Sequence, residues 1–378
     1  MNLVRANAVL AVLAAVLAVP TFLQLQSDAA AGVADPTVPP LFDGFTADTV
    51  NVVAIALPKK EQPPPNPQNP QQPRVAYDQL QFQRTDKGFV LASGDLIGAP
   101  VAKDRLESDV FAHLRAIRAD RDSLVQANAT AEQLVQYGLD EAQAFVVRVT
   151  DGATPPNVVA ELLVGRDAGQ GQTGTDAMRG VFVRKSDSTD VVLYELDKPW
   201  PRIVQQDMWL DKTLARLEPE KVVRFTIRNA ASGAGTWTFT RENGKASWQV
   251  VEPPSPVGAV RQIEVENLLQ RLRWITVQDF RVALARAGNP AALGLAPAKL
   301  EVGVTVKEGD RERVLQLAIG NQVDGKNEYY LMCNESPFVM TWPAGMVTPM
   351  ELDVAATMFD PRAPDAPGAG ERKDGDGK

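Results

Sequence analysis

The chain has very little of what metal and nucleophilic chemistry requires. It contains one cysteine, Cys333, and one histidine, His113. A single cysteine excludes an internal disulfide and any Cys-cluster metal site, and a single histidine excludes paired-His motifs. No glycine is followed by Lys and then Ser or Thr, so there is no phosphate loop, and no Gly-x-Ser-x-Gly elbow is present. There is no basic block either. Lys plus Arg number 39 against 47 Asp plus Glu, a net charge of −8. Such a chain has no electrostatic footprint for nucleic acid. No catalytic residue, cofactor-binding residue, cofactor or metal ligand is assigned. What is present is ordinary globular composition: 44% apolar and 23% charged over 378 residues, room for two domains.

The N-terminus holds the one long apolar run. Met1 to Arg5 is short and basic, and Ala6 to Leu25 is almost wholly apolar. Twenty helical residues rise about 30 Å, enough to cross a bilayer core. The next basic residue is Lys59, which keeps the positive end in the cytoplasm. A cleaved signal peptide fits the same residues, with an apolar core Ala8 to Val19 and a small-residue site at Ala29 to Ala31. Residues 1–31 are thus expected to be a membrane anchor or signal peptide. The expected location is the inner membrane, single-pass, with the bulk of the chain extracytoplasmic (periplasmic).

The body carries an internal repeat. Gly88 recurs as Gly244 and Gly138-Leu139 as Gly294-Leu295, both at an offset of 156 residues. Val164-Gly165 recurs as Ile319-Gly320 at 155. Markers in one order at a nearly constant offset indicate two copies of one unit. We expect a first repeat over 41–212, a second over 214–360 and a disordered tail over 361–378. Apolar residues alternate in 52–57 and 222–227, as in half-buried strands. Leu106, Val110, Leu114 and Ile117 fall on one helical face, and so do Val265, Leu268, Leu269, Leu272 and Ile275. Hairpin-spaced strands with an inserted helix predict an α+β fold: two tandem homologous domains of mainly antiparallel sheet. Asn243-Gly244 and Asp324-Gly325 read as type I′ hairpin turns. The segment 58–73 holds seven prolines in 16 residues. The repeat makes it a long loop between adjacent strands, with Pro64, Pro67, Pro70 and Pro73 on one edge of a polyproline II helix.

Several motifs invite a chemical reading. Gly169 to Gly174 spells G-x-G-x-x-G, but the stretch Met178 to Lys185 after it looks extended rather than helical, so the motif reads as a hairpin loop. His113 lies off the apolar stripe and reads as a solvated helix residue. Cys333 reads as a small buried apolar residue. Asp187, Asp190, Glu195, Asp197, Glu264 and Glu266 read as solvated faces. Trp237 and Trp248 read as core, and Trp200, Trp209 and Trp342 as packing under loops. Asn128-Ala129-Thr130 and Asn334-Glu335-Ser336 match glycan-acceptor spacing.

The order of these pieces resembles a bacterial domain-of-unknown-function family, DUF4340. The matching residues are Leu41-Phe42-Asp43-Gly44-Phe45, Gly88-Phe89-Val90-Leu91, Tyr137-Gly138-Leu139-Asp140, Val164-Gly165 and Trp209-Leu210-Asp211. Trp248, Gly294-Leu295 and Ile319-Gly320 repeat the pattern, and the resemblance runs over about 41 to 360. Ala142 and Asp43 stand where the family usually has proline. The resemblance implies an auxiliary component of gliding-motility-type or other ABC transport systems, with a permease and ATPase as partners. The expected function is a membrane-anchored scaffold, reaching its membrane-protein partners through the N-terminal helix. Two alternatives are an enzyme acting on envelope polymers and a solute-binding protein, either using the crevice between the domains.

Overall fold

The computed structural model describes residues 38–60, 75–169, 180–196, 200–232, 235–244, 246–252 and 258–360. They form two compact units. The first comprises the described residues up to Ala92 with Lys103–Gln205; the second comprises Ser93–Ala102 and the described residues from Gln206 onward.

Each unit is built on one eight-stranded antiparallel sheet. The first contains β1 (Val50–Pro58), β2 (Tyr77–Thr85), β3 (Gly88–Leu91), β4 (Leu124–Gln126), β5 (Phe145–Asp151), β6 (Val158–Ala168), β7 (Gly180–Lys185) and β8 (Val191–Glu195). Their spatial order is β3-β2-β1-β5-β6-β7-β8-β4. The second contains β10 (Val222–Asn229), β11 (Trp237–Thr240), β12 (Gln249–Glu252), β14 (Asp279–Ala283), β15 (Leu300–Glu308), β16 (Arg311–Gln322), β17 (Glu328–Cys333) and β18 (Ser336–Pro343). Their order, β12-β11-β10-β15-β16-β17-β18-β14, repeats that of the first sheet strand for strand. The chain is a tandem repeat of one α+β module. A further pair, β9 (Thr213–Arg216) and β13 (Trp274–Thr276), belongs to the second unit. The bridge Pro40 to Arg118 holds the corresponding place in the first.

One face of each sheet is covered by the helix that comes after the third strand. In the first unit it is α1 (Lys103–Leu106), a π-helical turn (Glu107–Phe111) and α2 (Ala112–Ala116). Leu106, Val110, Leu114 and Ile117 are buried along it. In the second unit the helix, α4 (Gln262–Arg271), buries Val265, Leu268 and Leu269. Val53, Ile55, Val147 and Val149 are buried on one face of the first sheet, and Phe225, Ile227, Val302 and Val304 on one face of the second. The other helices are α3 (Ala131–Tyr137), α5 (Ala344–Val347) and α6 (Val354–Met358).

The repeat markers owe their persistence to a contact between them. Gly138 ends α3 in the left-handed region, φ 68°, and Gly294 has the same φ. Both turns lie against the sheet at Gly165 or Gly320, where a Cβ would lie 2.8 Å from Leu139 Cγ or 3.0 Å from Leu295 Cγ. A Cβ would also strike the carbonyl oxygen of Tyr137 or Leu293. Each glycine pair is one close approach between a turn and a strand.

Three expectations are corrected. First, no helix among the described residues is long and apolar enough to cross a membrane. The longest of them, α4, has 10 residues and spans about 15 Å, half a bilayer core. The apolar run 6–25, read as a transmembrane helix or signal peptide, lies outside the described residues. A membrane-anchored, single-pass inner-membrane protein, its extracytoplasmic placement and partners reached through that helix are therefore withdrawn. Second, Asn243-Gly244 is not a type I′ turn, because neither residue has positive φ. The β11–β12 connection is longer, and a Cβ on Gly244 would lie 2.8 Å from the Glu220 carbonyl carbon. Third, Asp324-Gly325 lies in a longer β16–β17 loop, with positive φ at Gly325 alone. Strands β1 and β2 pair from Val52–Gln83 to Pro58–Tyr77. The prolines between them, at 64, 67, 70 and 73, and the tail 361–378 lie outside the described residues.

Candidate functional site

Most of the singled-out side chains are used for packing. Trp200, Trp209, Trp237, Trp248 and Trp342 are all buried. Cys333 is buried on β17, and burial raises its thiol pKa, which keeps it protonated and inert. Gly169 has φ 85°; the rest of the G-x-G-x-x-G stretch and Asp197 lie outside the described residues. Both glycan-acceptor sequences are tied into local structure. Thr130 caps α3 in a capping box with Gln133, and Asn334 Nδ2 donates to Val314 O at 2.8 Å. Among the described residues no group of three His, Cys, Asp or Glu side chains could hold a metal ion.

Two readings change. Glu266 is not a solvated carboxylate. It accepts from Arg241 Nη1 at 2.6 Å and from Trp248 Nε1 at 2.8 Å. Arg241, 2% exposed, also donates through Nε to Val222 O at 2.7 Å and through Nη2 to Pro219 O, and lies 4.4 Å over the Trp248 ring. The first unit has a counterpart: Arg84 donates to Val50 O and Ala47 O, both at 2.6 Å, and lies 4.6 Å over Phe89. In both units an arginine at the end of the second strand ties down the turn entering the first. The signal was in the sequence, an Arg at matching places in both copies.

His113 is the other change. It is half-buried rather than solvated, its ring 4.3 Å from that of Trp200 and its Nδ1 3.2 Å from Tyr194 Oη. Burial lowers its pKa, partly offset by the Asp109 carboxylate. The folded state therefore prefers neutral imidazole. Stability is full above the ordinary imidazole pKa of about 6.5 and falls as acid protonates the unfolded chain first. The loss should level off once pH is below the depressed folded value. Thermal melts of wild type and His113→Gln between pH 7.5 and about pH 5 test this. The wild type should lose more stability than the variant; parallel curves would overturn the assignment.

The surface least accounted for by folding is the β4 edge of the first sheet, the opposite edge being β3. Among the described residues strand β4 pairs with β8 alone, and none of them pairs with its other side. It is held by Leu193 N donating to Ser123 O at 2.8 Å, and Asp120 organises the preceding turn by accepting from Ser123 N at 2.7 Å. Leu124 and Val125 are 39% and 41% exposed. Beside them is a depression of about 400 Å³. Leu41, Leu124 and Val192 supply its apolar wall, and Arg121, Lys185 and Asp190 its charges. An open strand edge with apolar side chains beside a charged hollow can pair with an extended peptide and read its side chains. Sequence reading missed β4 because three residues are too few to show alternation.

The model of one family, described as a domain of unknown function (DUF4340), matches residues 95–298. That is more than half of the 378-residue chain. The chain belongs to this family. No curated protein and no solved structure matches it. The DUF4340 match starts in Ser93–Ala102 of the second unit and ends before β15, so it takes in parts of both units and coincides with neither. It is also shorter than the 41 to 360 over which the resemblance was expected to run. The α3 turn with Gly138, Gly165 and the strand β4 all lie within the matched span.

Proposed function

We propose that this DUF4340 protein acts by binding: it is a two-module scaffold whose first module receives an extended segment of a partner protein along β4. The observation that carries this is the open β4 edge, with Leu124 and Val125 exposed beside the hollow at Leu41 and Val192. Apolar side chains on an unpaired edge are normally covered or charged, and the register irregularity that β4 carries between Leu124 and Gln126 still leaves Leu124 and Val125 exposed. Here they stand next to a hollow whose charged rim can fix the register of an incoming strand. The family resemblance supplies the partner class to test first, the permease and ATPase of an ABC transport system.

The test is crosslinking in cells, capture through a tag after Lys378, and quantification of those two partners. Wild type should enrich at least one of them. Val125→Pro removes a backbone donor and Leu124→Lys charges the strand, and each should lower capture about tenfold, the equivalent of about 1.4 kcal/mol. Thermal melts confirm that the variants fold. Undiminished capture by both folded variants would dismiss the edge as the contact. Recovery of the wild type without either partner would remove this partner class.

A further inference from the structure

The two outer sheet faces, turned away from the covering helices, have diverged at one place. In the first unit Ala54 on β1 is opposite Arg148 on β5, and Arg148 is opposite Glu161 on β6. The long Arg148 side chain fills the face and approaches Glu161 at 4.0 Å. At the same register in the second unit Thr226 on β10 is opposite Gly303 on β15, and Gly303 is opposite Gln316 on β16. The arginine has become a glycine, and the face is hollowed into a depression of about 500 Å³. That lies within the range of small-molecule sites, about 300–1,000 Å³.

The hollow also gains an unpaired cation. Arg224 takes the place of Val52 of the first unit and stands between Thr240 and Thr305, its cross-strand neighbours. Two positions along the same face, Thr226 intervening, Arg228 meets Glu301 opposite and bonds it at 2.9 Å. Arg313 on β16 pairs with Glu335. Arg224 has no such partner among the described residues. The hydroxyls of Thr226, Thr240 and Thr305 also have no side-chain hydrogen bond among the described residues, and all three line the hollow. Lys307, Glu242 and Glu312 also line it, Lys307 opposite Glu312 on the neighbouring strand.

We propose that this depression binds a hydroxylated monocarboxylate of sugar-acid size, with Arg224 holding the carboxylate. An unpaired guanidinium selects an oxyanion, since charge-assisted bonds are the strongest available there. The threonine hydroxyls and Gln316 match a body rich in hydroxyls. Glu242 and Glu312 balance Arg224 and Lys307, so a second negative charge on the ligand would go uncompensated, which favours a monocarboxylate over phosphate or a polyacid. The site is independent of the β4 edge.

The experiment titrates the full chain with glucuronate, with glucose and with inorganic phosphate, read by calorimetry and by amide chemical shifts. Glucuronate should bind saturably with a Kd of about 1 mM or tighter, and shift amides of β10 and β15. Glucose and phosphate should each bind at least tenfold more weakly. Arg224→Gln alters an exposed side chain and should weaken glucuronate at least about tenfold with the melting temperature unchanged. A Cβ at Gly303 alone would strike the Thr226 hydroxyl, so Gly303→Arg combined with Thr226→Ala copies the first unit's pair of Arg148 and Ala54, and it should abolish binding with the fold kept. Equal affinity for glucose overturns the role of charge, and equal or tighter binding of phosphate overturns the hydroxylated body. No saturable response to glucuronate, or an unaffected Arg224→Gln, overturns the site.

Discussion

Gly320→Ala should destabilise the second module by about 3 kcal/mol, and Gly165→Ala should do the same to the first. In both places the new methyl meets a backbone carbonyl and a leucine side chain, Tyr137 with Leu139 or Leu293 with Leu295. Neither can yield cheaply. Leu139 N is bonded to Leu134 O at 2.8 Å and Leu295 N to Pro290 O at 2.9 Å, so moving the carbonyl unwinds the turn that buries the leucine. Gly345 is the control. It lies in α5 with open space around its Cβ position, so alanine there should be neutral or slightly stabilising. Chemical denaturation, with each module's transition followed separately, gives the comparison. A loss under about 1 kcal/mol at both sites would show that the turn and strand are not locked together.

Arg241→Met should cost about 3–5 kcal/mol, more than Arg84→Met at about 1–2 kcal/mol. The two arginines make the same pair of bonds to the turn before the first strand. Only Arg241 is fully enclosed and ion-paired, through Glu266. Its removal leaves that carboxylate facing Trp248 and leaves the carbonyls of Val222 and Pro219 without their donor. At the place equivalent to Glu266 the first module has Phe111, whose ring is 5.9 Å from that of Phe89, so no charge is stranded there. A double-mutant cycle of Arg241→Met with Glu266→Gln should show strong coupling. Equal losses for the two arginines, or no coupling, would mean that the ion pair contributes nothing.

Local patterns carried much of the fold. Period-2 alternation marked β1 and β10, and the stripe Leu106, Val110, Leu114, Ile117 marked the first helix, although a π-helical turn at Glu107–Phe111 interrupts it. The glycine markers revealed the repeat, but their cause was hidden, because Gly138 and Gly165 meet only in three dimensions. The places of β4 and β14 at the far edges were also beyond reach, since strand order is set by contacts distant in sequence. Asn243-Gly244 misled because a close approach to Glu220 can demand a glycine as firmly as a turn can. The apolar N-terminal run, on which a functional class and a location were hung, lies outside the described residues. Neither candidate surface was legible. The β4 edge has too few residues, and the hollow at Gly303 appears only when the two sheets are compared register by register.

Strand β4 also has a kinetic consequence. It leaves the ribosome well before β8, its one strand neighbour among the described residues, because β5, β6 and β7 intervene in the chain. At about 5–20 residues per second, it waits several seconds with Leu124 and Val125 uncovered. In the finished sheet it is the last strand to be added and the one with fewest bonds to lose. Its amides should exchange with solvent well ahead of those of β1, β5 and β6, whose hydrogen bonds are shared on both sides. The part of the first module that is slowest to arrive is thus also the readiest to leave, and an incoming strand could take its place on β8 as well as extend the sheet beside it.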